Sequence, residues 1–408
     1  MKVLVINCGS SSLKFKLYDL PTADSATMMA EGLVEEIGRE KSRFSYRDHR
    51  SPDKIVGDVV AKDHTQAVAA MKDMLLDDEH GLFKNKIEVD ACGHRVVHGR
   101  ELFSNSALIT PEVRTAIEEC IGIAPLHNPP NLAGIAACEK IFPGLPQVAV
   151  FDTAFHQTMP PHVFLYGLPH VLYQRHAIRR YGFHGTSHRY VYGRLEELQI
   201  KRGASELRAI TMHLGNGCSM AAIRGGKSMD TTMGLTPLEG LIMGTRCGDI
   251  DPAVVLHLMA AEDINMNDVN TLLNKHSGLL GVSGVSNDMR EIVKAAKEGH
   301  EMANTALNMF CYRIKKYIGA YTAALNGVDA IVFTGGIGEN GIDVRTRVCA
   351  EMDALGIRLN EKRNAELNSK EALISADDSR VAIWIIPTNE EIVIARDTAL
   401  CVDAARQG

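Results

Sequence analysis

The pattern of apolar and polar positions predicts a tight β-hairpin at the start of the chain. Residues 3–6 are a continuous apolar run, residues 7–12 read Asn-Cys-Gly-Ser-Ser-Ser, and residues 13–18 alternate between apolar and polar. A buried strand, a turn rich in N–H and hydroxyl donors, and a returning strand fit this order. The alternation puts Lys14 and Lys16 on one face of the second strand. We therefore expect a cradle for a phosphate-sized anion at this turn.

The same order returns in the second half of the chain. Residues 209–232 predict a strand, a turn, a strand, a Gly-Gly turn and a third strand, and the first of these turns falls at residues 213–219. Two anion cradles in one chain predict a nucleotide held between two similar lobes.

Strand and helix patterns fill most of the remaining sequence, and we expect α/β domains. The predicted elements are a helix at 65–76, a helix capped by Thr110 and Pro111, a buried strand at 147–151, a helix at 302–326 with Gly327 as its C-cap, a strand at 329–333 that runs into the Gly-rich segment 334–340 with a helix following, a strand at 381–386, and a final helix capped by 387–391. Pattern change alone places the domain boundary near residue 151. The predicted first lobe is 1–150 plus 388–408, and the second is 151–387.

Size and composition favour a two-domain enzyme. At 408 residues the chain exceeds the size at which one core keeps growing, and its 45% of hydrophobic residues is ordinary for a globular protein. A net charge of −6 without a long Lys/Arg block argues against a nucleic-acid partner. No apolar run is long enough for a membrane span or a signal-peptide core, so no membrane partner and a cytoplasmic location are expected. The nine cysteines are dispersed without C-x-x-C pairs, which indicates neither a zinc ribbon nor a disulfide framework.

The glycines of Gly336-x-Gly338-x-x-Gly341 satisfy the dinucleotide fingerprint, so a dehydrogenase is one alternative. In that motif a ribose-binding acid ends the next strand, whereas Glu351 and Asp353 are predicted to lie inside a helix. The segment instead offers a surface without side chains on which an adenosine could lie, with N–H groups directed at its phosphates.

Four charged side chains are candidates for phosphoryl chemistry. Arg95 and Arg246 lie among small residues, and a fixed guanidinium suits a carboxylate or a transferring phosphoryl group. Asp152 ends an apolar strand, where it could orient an acceptor or a magnesium-bound water. Glu390 opens the final helix, where the helix dipole favours a carboxylate even without a catalytic role.

Histidines cluster in several motifs, and one pair raises the question of a metal. His184 and His188 have the i, i+4 spacing of a helical zinc pair, but the motif lacks a glutamate and Gly185 weakens the helix there. A hydrogen-bonding or electrostatic role is therefore favoured over zinc.

Together these motifs resemble the acetate kinase family, within the superfamily of actin, sugar kinases and heat-shock chaperone ATPases. The resemblance covers essentially the whole chain, on residues 5–14, 93–99, 151–161, 181–188, 215–217, 244–248, 335–340 and 387–391. It implies two duplicated actin-like (ribonuclease H-like) domains of the α/β class, with a nucleotide cleft between them. It also implies reversible phosphoryl transfer from ATP to acetate, which gives acetyl phosphate and ADP by direct in-line transfer. The implied metal is Mg²⁺, with Mn²⁺ as a substitute, and the implied assembly is a homodimer.

The resemblance assigns roles to residues at matching positions. The implied catalytic residues are Arg95 for the acetate carboxylate, Asp152 as the catalytic acid residue, and His184 and Arg246 for the transferring phosphoryl group. The implied magnesium residues are Asn7 and Glu390. The implied acetate-binding residues besides Arg95 are Val97, Leu126, His127, Phe183 and Pro237. The implied nucleotide-binding residues are Ser10, Ser12, Lys14, His213, Leu214, Gly215, Asn216, Gly217, Asp288, Met289, Arg290, Gly336, Ile337, Gly338, Glu339 and Asn340.

One position departs from the family pattern. Arg100 follows Gly99 where the resemblance leads us to expect a second glycine, and this places a bulky cation near the implied acyl site.

Other functions remain open beside an acetate kinase. They are a propionate-preferring or pyrophosphate-dependent short-chain acyl kinase and a non-catalytic actin-like ATPase, which requires only the nucleotide groups. The open glycine surface at residues 335–338 favours an adenine nucleotide over pyrophosphate. The sequence does not distinguish ATP from GTP.

We predict that acetate is preferred over propionate, because Val97 and the other bulky pocket residues favour a two-carbon acid. A relative that selects propionate would be expected to carry a smaller residue at position 97. Steady-state kinetics with both acids at saturating ATP measure the preference as a ratio of kcat/KM. A higher kcat/KM for propionate than for acetate would contradict the prediction.

Overall fold

The chain folds as two compact units, each built on one sheet. A computed structural model describes residues 1–22, 25–125, 127–200 and 206–407. The first unit is Met1–Ala154 with Asn389–Gly408, and the second is Phe155–Thr388. In the part of the chain that is described, no helix has the length and hydropathy that a membrane crossing requires.

The first unit contains an eight-stranded sheet. Its elements up to residue 154 are β1 (Lys2–Cys8), β2 (Ser12–Asp19), β3 (Thr27–Glu35), β4 (Ser42–Asp48), β5 (Ile55–Val59), α1 (His64–Leu75), β6 (Ala91–Val96), β7 (Ala107–Leu108), α2 (Pro111–Glu119), α3 (Asn128–Ile141) and β8 (Gln147–Phe151). The strand order is β5-β4-β3-β2-β1-β6-β8-β7. β1 pairs antiparallel with β2 and parallel with β6, which in turn pairs parallel with β8.

The second unit contains a six-stranded sheet and most of the helices. Its elements are α4 (Pro161–Phe164), α5 (His170–His176), α6 (Gly185–Ile200), β9 (Arg208–Leu214), β10 (Cys218–Arg224), β11 (Lys227–Thr231), α7 (Pro252–Ala261), α8 (Met266–Lys275), α9 (Gly278–Ser283), α10 (Met289–Lys297), α11 (Glu301–Ala324), β12 (Ala330–Thr334), α12 (Gly335–Asn340), α13 (Ile342–Cys349), α14 (Glu361–Glu366), β13 (Ala372–Leu373) and β14 (Ala382–Ile385). The strand order is β11-β10-β9-β12-β14-β13. The final helix, α15 (Glu390–Gln407), belongs to the first unit.

The first hairpin lies in the middle of its sheet and is covered on both faces. One face, with Leu4 and Phe15, packs in a core that includes residues of α1 and α3, while the other face, with Val3 and Val5, packs against α15. Burial on both faces is why the first strand reads as a continuous apolar run. Gly93 on β6 lets α15 approach closely, since a Cβ there would lie 2.2 Å from Thr398 Oγ1.

The repetition expected from the sequence is present in the two sheets. In each unit an antiparallel hairpin is followed by two strands parallel to the first strand of that hairpin: β2-β1-β6-β8 in the first unit and β10-β9-β12-β14 in the second. The prediction that the second half of this α/β chain repeats the hairpin of the first half is therefore confirmed.

The structure corrects two local predictions around the Gly-rich segment. Residues 335–340 form the short helix α12 themselves, because β12 ends at Thr334 and the N–H of Gly335 bonds to the Glu339 side chain at 2.9 Å. Glu351 and Asp353 lie beyond α13, which ends at Cys349; Glu351 is outside any helix, and Asp353 begins a separate 3₁₀ turn, Asp353–Leu355.

The position of Arg100 explains why a glycine is expected there. Its φ is +51°, in the left-handed region that glycine adopts with least strain. The backbone N–H of Arg100 donates to His98 Nδ1 at 3.0 Å, and its Nη2 donates to Glu119 O, at the end of α2, at 3.1 Å. The guanidinium therefore attaches this loop to the C-terminal end of a helix, where a cation is favourable.

Candidate active site

In the first unit, Arg95 and Asp152 form a close ion pair at the ends of two neighbouring parallel strands. Arg95 lies on β6, opposite Val150 of β8, and Asp152 follows the last residue of β8. The Asp152 carboxylate accepts from Nε at 3.1 and 3.2 Å and from Nη2 at 2.5 Å. Arg95 Nη1 donates to no residue that the structure describes. One edge of the guanidinium is thus occupied, and the edge that contains Nη1 can take a second carboxylate.

The first turn of α15 brings two more carboxylates to this pair. Glu390 Oε2 lies 4.0 Å from Arg95 Nε. Burial first, and then the Asp152 and Glu391 carboxylates, raise the pKa of Glu390 to about 7, although the Arg95 guanidinium opposes the shift. Burial alone would lower the pKa of Arg95, but the Asp152 and Glu390 carboxylates raise it above its ordinary value. Arg95 is therefore charged at any working pH.

Both lysines of β2 bind the same carboxylate. Lys14 Nζ pairs with Glu391 Oε1, and Lys16 Nζ lies 3.3 Å from Glu391 Oε2. Burial would raise the pKa of Glu391, but the two lysines outweigh it and the pKa is lowered. Lys14, which is implied for the nucleotide, thus has a protein partner in this state.

The turn of the first hairpin is narrow and open to solvent. Gly9 N donates to Ser12 O at 2.9 Å, a Cβ on Gly9 would lie 2.9 Å from Ser12 Oγ, and Ser10 is exposed. Asn7 lies opposite Lys14 in the hairpin register, and its side-chain amide has no hydrogen-bond partner within the described ranges. The Asn7 amide oxygen and the N–H groups of Ser10 and Ser11, which donate to no described residue, are therefore available for a ligand.

Two asparagines of α3 fix the loop that follows Arg95. Asn131 is buried, accepts from Val97 N at 3.1 Å, and donates to Cys8 O, at the end of β1, at 2.9 Å. Asn128 is also buried, accepts from His98 N at 3.2 Å and donates to His98 O at 3.0 Å. Asn131 thus joins the first hairpin to the segment that carries Val97.

In the second unit, His184 belongs to a network of buried polar side chains. Ser219 Oγ lies 2.9 Å from His184 Nδ1 and 2.8 Å from His188 Nε2, and His188 Nδ1 lies 2.7 Å from Thr211 Oγ1. The His213 ring stacks on that of His184 with the centroids 4.2 Å apart. Burial, then neighbouring histidines, hold the pKa of His188 well below its usual value, so this ring is neutral.

The single proton of the Ser219 hydroxyl links the two imidazoles. The hydroxyl can donate to one ring nitrogen and accept from the other, so the tautomers of His184 and His188 are set together. His184 also has φ +55° immediately before α6, and its carbonyl accepts the first helical N–H, from His188, at 3.0 Å. Ring and backbone of His184 are therefore both fixed.

The backbone of the loop 241–248, which carries Arg246, is held by neighbouring segments. Its bonds are Met243 N to Arg246 O, Gly244 N to Asn216 O, Ser277 N to Thr245 O and Cys247 N to Leu273 O, at 3.0 to 3.1 Å. Gly278 has φ +63°, and a Cβ there would lie 2.2 Å from Met243 O, so only glycine allows this approach.

The guanidinium of Arg246 lies beside the second glycine turn without an acidic partner. A Cβ on Gly217 would lie 3.5 Å from Arg246 Nη1 and 3.6 Å from His184 Cε1, so the three residues are adjacent. Nη1 donates to Pro237 O at 3.3 Å and contacts Met243 Sδ at 3.8 Å. No carboxylate among the described residues is within ion-pair distance, and burial lowers the pKa of Arg246. Such a partly buried cation favours an anionic ligand.

The helix α12 is anchored at both ends and open in the middle. Glu339 Oε1 accepts from Gly335 N at 2.9 Å, and the fully buried Arg345 donates to Gly338 O at 2.7 Å and to Glu339 O at 3.0 Å. Burial lowers the pKa of Arg345 to about 10. A Cβ on the exposed Gly336 would meet no atom within 4 Å, so the packing of the chain does not account for this glycine.

The other implied residues are distributed as follows. Val97 is buried in the first unit, and His127 directly precedes α3 in the same unit. Phe183 and Pro237 belong to the second unit, and Leu126 lies outside the described residues. Asp288 caps α10 and pairs with Arg290, whose side chain is 91% exposed, whereas Met289 is buried.

Several residues of these groups are not found by reading the sequence. Glu391 pairs with both lysines, Ser219 links two imidazoles, and Asn131 bridges two loops. Only Glu391 had a local signal, as the neighbour of Glu390 in the helix cap. The partners of Ser219 and Asn131 are distant in sequence.

Comparison with known proteins gives consistent matches over the whole chain. The model of the acetokinase family matches residues 2–396. An acetate kinase from Halothermothrix orenii is 53% identical over 404 residues, which are 99% of this chain and 100% of that protein. A crystal structure of acetate kinase from Porphyromonas gingivalis superposes with a TM-score of 0.91 at 50% identity, covering 98% of this chain and 99% of that one. A crystal structure of a propionate kinase from Francisella tularensis gives a TM-score of 0.90 at 41% identity, covering 98% and 99%.

Proposed function

The chain belongs to the acetokinase family, with its two actin-like domains, and from this premise we propose that it is an acetate kinase. It transfers the γ-phosphoryl group of ATP to a carboxylate oxygen of acetate, and the reaction is reversible. The P–O bond to ADP breaks as the bond to acetate forms. One observation carries the proposal: each unit presents an arginine with guanidinium donors that no described residue uses.

Arg95 suits the acceptor. Asp152 binds one edge of its guanidinium and leaves the edge with Nη1 for the acetate carboxylate, in the bidentate geometry that guanidinium favours. Acetate is ionised at neutral pH, so no base has to remove a proton from the nucleophile. Asp152 would then act by holding the Arg95 guanidinium in place and by partly neutralising its positive charge.

Arg246 and His184 suit the transferring group. In-line transfer spreads negative charge over three equatorial oxygens, and fixed cations and N–H donors stabilise that charge. Arg246 has no carboxylate to neutralise it, and His184 lies beside the same glycine turn. The turn at 215–217 would supply backbone N–H groups for the phosphates.

A magnesium ion fits the residues of the first unit. Mg²⁺ is commonly bound by one or two carboxylates plus water and phosphate oxygens, not by a complete protein cage. The residues that would hold it are Asn7 and Glu390, whose amide and partly buried carboxylate provide oxygen ligands. When bound, the ion neutralises phosphate charge and orients the nucleotide.

The glycine surface on α12 suits adenosine. A glycine in a helix costs up to about 1 kcal/mol relative to alanine, and at Gly336 no packing in the chain requires it. A glycine at position 336 would be explained if the base or ribose of the nucleotide lies directly against the backbone there. ATP, as the donor, also agrees with the cytoplasmic location predicted from the sequence.

A homodimer is the assembly we propose. None of the residues of α7 is buried although the helix is mostly apolar, and Val254 and Leu256 are exposed on it. On α11, Met309 and Tyr312 are exposed as well. Apolar surface of this kind commonly marks a protein interface.

Arg95→Ala is predicted to lower acetate-dependent ADP formation about 10³-fold or more, the scale of charge-positioning arginines in phosphoryl transfer. ATP binding, measured by calorimetry, should stay within about threefold because the nucleotide groups lie elsewhere. Arg43→Ala, at an exposed arginine on β4, is the control and should leave turnover unchanged. Unimpaired turnover by Arg95→Ala would defeat the proposal.

Gly336→Ala is predicted to raise the KM for ATP about tenfold while the protein stays at least as stable, since the new methyl group meets no protein atom but would meet an adenosine. Steady-state kinetics and thermal unfolding measure the two effects. Gly193→Ala, at a similarly open position in α6, is the control and should not change this KM. If KM for ATP does not change in Gly336→Ala, adenosine does not lie there, and pyrophosphate becomes the donor to test.

Leu256→Asp is predicted to convert a dimer into a monomer in sedimentation velocity, because it places a charge on the exposed apolar face of α7. Leu400→Asp, at an exposed leucine of α15 in the other unit, serves as the control and should remain dimeric. A wild type that sediments as a monomer, or a dimeric Leu256→Asp, would refute this interface.

A further inference from the structure

The two ends of the loop that carries Arg246 are bonded to each other. The loop 241–248 lies between Gly240 and Asp249. Asp249 N donates to Gly240 O at 3.0 Å, and Gly240 N donates to Asp249 Oδ1 at 2.7 Å. Gly240 has φ +105°, and a Cβ there would lie 2.6 Å from Thr232 O, so no other residue fits without strain. These two residues form the neck of the loop.

Arg313, on α11, holds both sides of the neck. Its Nη1 donates to Gly240 O at 3.1 Å and to Asp249 O at 3.3 Å, and its Nη2 also donates to Asp249 O at 3.3 Å. The same guanidinium pairs with Asp249 Oδ2 at 3.2 Å. The Arg313 side chain thus bonds to the carbonyl oxygens of both neck residues, Gly240 and Asp249, and also to the Asp249 carboxylate.

Tyr317, one helical turn after Arg313, holds the carboxylate of Asp249. Its hydroxyl donates to Asp249 Oδ2 at 2.7 Å. Burial, together with the Asp249 carboxylate, raises the pKa of Tyr317 above its ordinary value, so the hydroxyl keeps its proton and remains a donor. Both oxygens of Asp249 are therefore engaged, Oδ1 by the Gly240 N–H and Oδ2 by the two side chains of α11.

We propose that Asp249, Arg313 and Tyr317 form a clasp that positions Arg246 for phosphoryl transfer. The inference rests on the proposed function and deepens it. Arg246 has no carboxylate to fix its guanidinium, and its bond to Pro237 O, at 3.3 Å, is long. Its place is therefore set by the loop backbone, whose ends the clasp closes. Within the described residues no hydrogen bond joins Arg313 or Tyr317 to Arg246, so they are positioning residues and not catalytic ones.

A comparison of clasp variants in two backgrounds tests the proposal. In the wild-type background, Tyr317→Phe should lower kcat about fivefold and Arg313→Lys about 10- to 100-fold, because displacement of a reacting group by an ångström costs rate on this scale. The KM for acetate should change less than about twofold, since Arg95, the residue proposed to bind the acetate carboxylate, lies in the other unit. In the Arg246→Ala background the same variants should change the residual kcat less than about twofold, because no guanidinium remains to be positioned.

Tyr321→Phe is the matched control for Tyr317→Phe. It makes the same substitution one turn later on α11, at a buried hydroxyl that does not bond to Asp249, and it should leave kcat unchanged in both backgrounds. Thermal unfolding shows whether each variant is folded. If Arg313→Lys does not fold, Tyr317→Phe, which removes only a hydroxyl group, is sufficient to test the clasp.

The outcomes separate the clasp from the proposed function. Equal losses of kcat in the two backgrounds, or no loss in the wild-type background, would overturn the clasp while leaving an active acetate kinase. A wild-type protein that forms no acetyl phosphate would overturn the proposed function and, with it, the clasp.

Discussion

The second unit is arranged around a cation that is partly withdrawn from water without a carboxylate beside it. Among the described residues, the only hydrogen-bond acceptors for the Arg246 guanidinium are a carbonyl oxygen and a thioether sulfur, and burial lowers the pKa of this arginine. Loss of hydration destabilises such a charge, and a bound anion offsets that cost. The features around it follow from this constraint: a loop held by backbone bonds, a glycine turn beside it, and an imidazole fixed by a serine.

The first unit has the opposite arrangement, because its charges are balanced before any ligand arrives. Arg95 and two lysines face Asp152 and the two glutamates that open α15. One edge of the Arg95 guanidinium and the side-chain amide of Asn7 have no partner among the described residues. The free edge of Arg95 could bind a carboxylate, and the amide oxygen of Asn7 could bind a metal ion. A balanced site can accept a small acid and a metal without a large change in net charge, whereas the site at Arg246 favours added negative charge. This difference matches the roles proposed for the two units, binding of the acceptor in the first and of the transferring phosphoryl group in the second.

The parts of the fold that depend on local pattern were predictable from the sequence. The first hairpin, the helix capped by Thr110, the strand at Gln147–Phe151 and the three-strand meander are all present at or near the expected residues. Each is specified by a short-range signal, such as a cap, a period of two or a Gly-Gly turn. The helical form of the Gly-rich segment was missed, because glycine composition favours a loop and the helix has no side-chain cap from Thr334; its first N–H bonds instead to Glu339 within the helix.

The supporting contacts of the candidate site were not predictable, because they join residues far apart in the chain. Asn131 bridges Cys8 and Val97, and Arg313 reaches Asp249. Their pairing is decided by which helix packs beneath which loop, and no periodicity or motif encodes it. The charged residues themselves were found from their motifs. What the sequence could not give is which of their donors the protein uses and which it leaves for a ligand.

The most direct test of the account is the affinity for fluoroaluminate, a planar mimic of the phosphoryl group, in the presence of MgADP and acetate. Calorimetry of the wild type should give a tight, stoichiometric complex. Arg246→Ala should weaken that complex about 100-fold or more while binding MgADP alone nearly as well, since the guanidinium acts on the charge of the transferring group. Equal affinity of the two proteins for the complex would contradict the claim that Arg246 is kept without a carboxylate in order to bind that group.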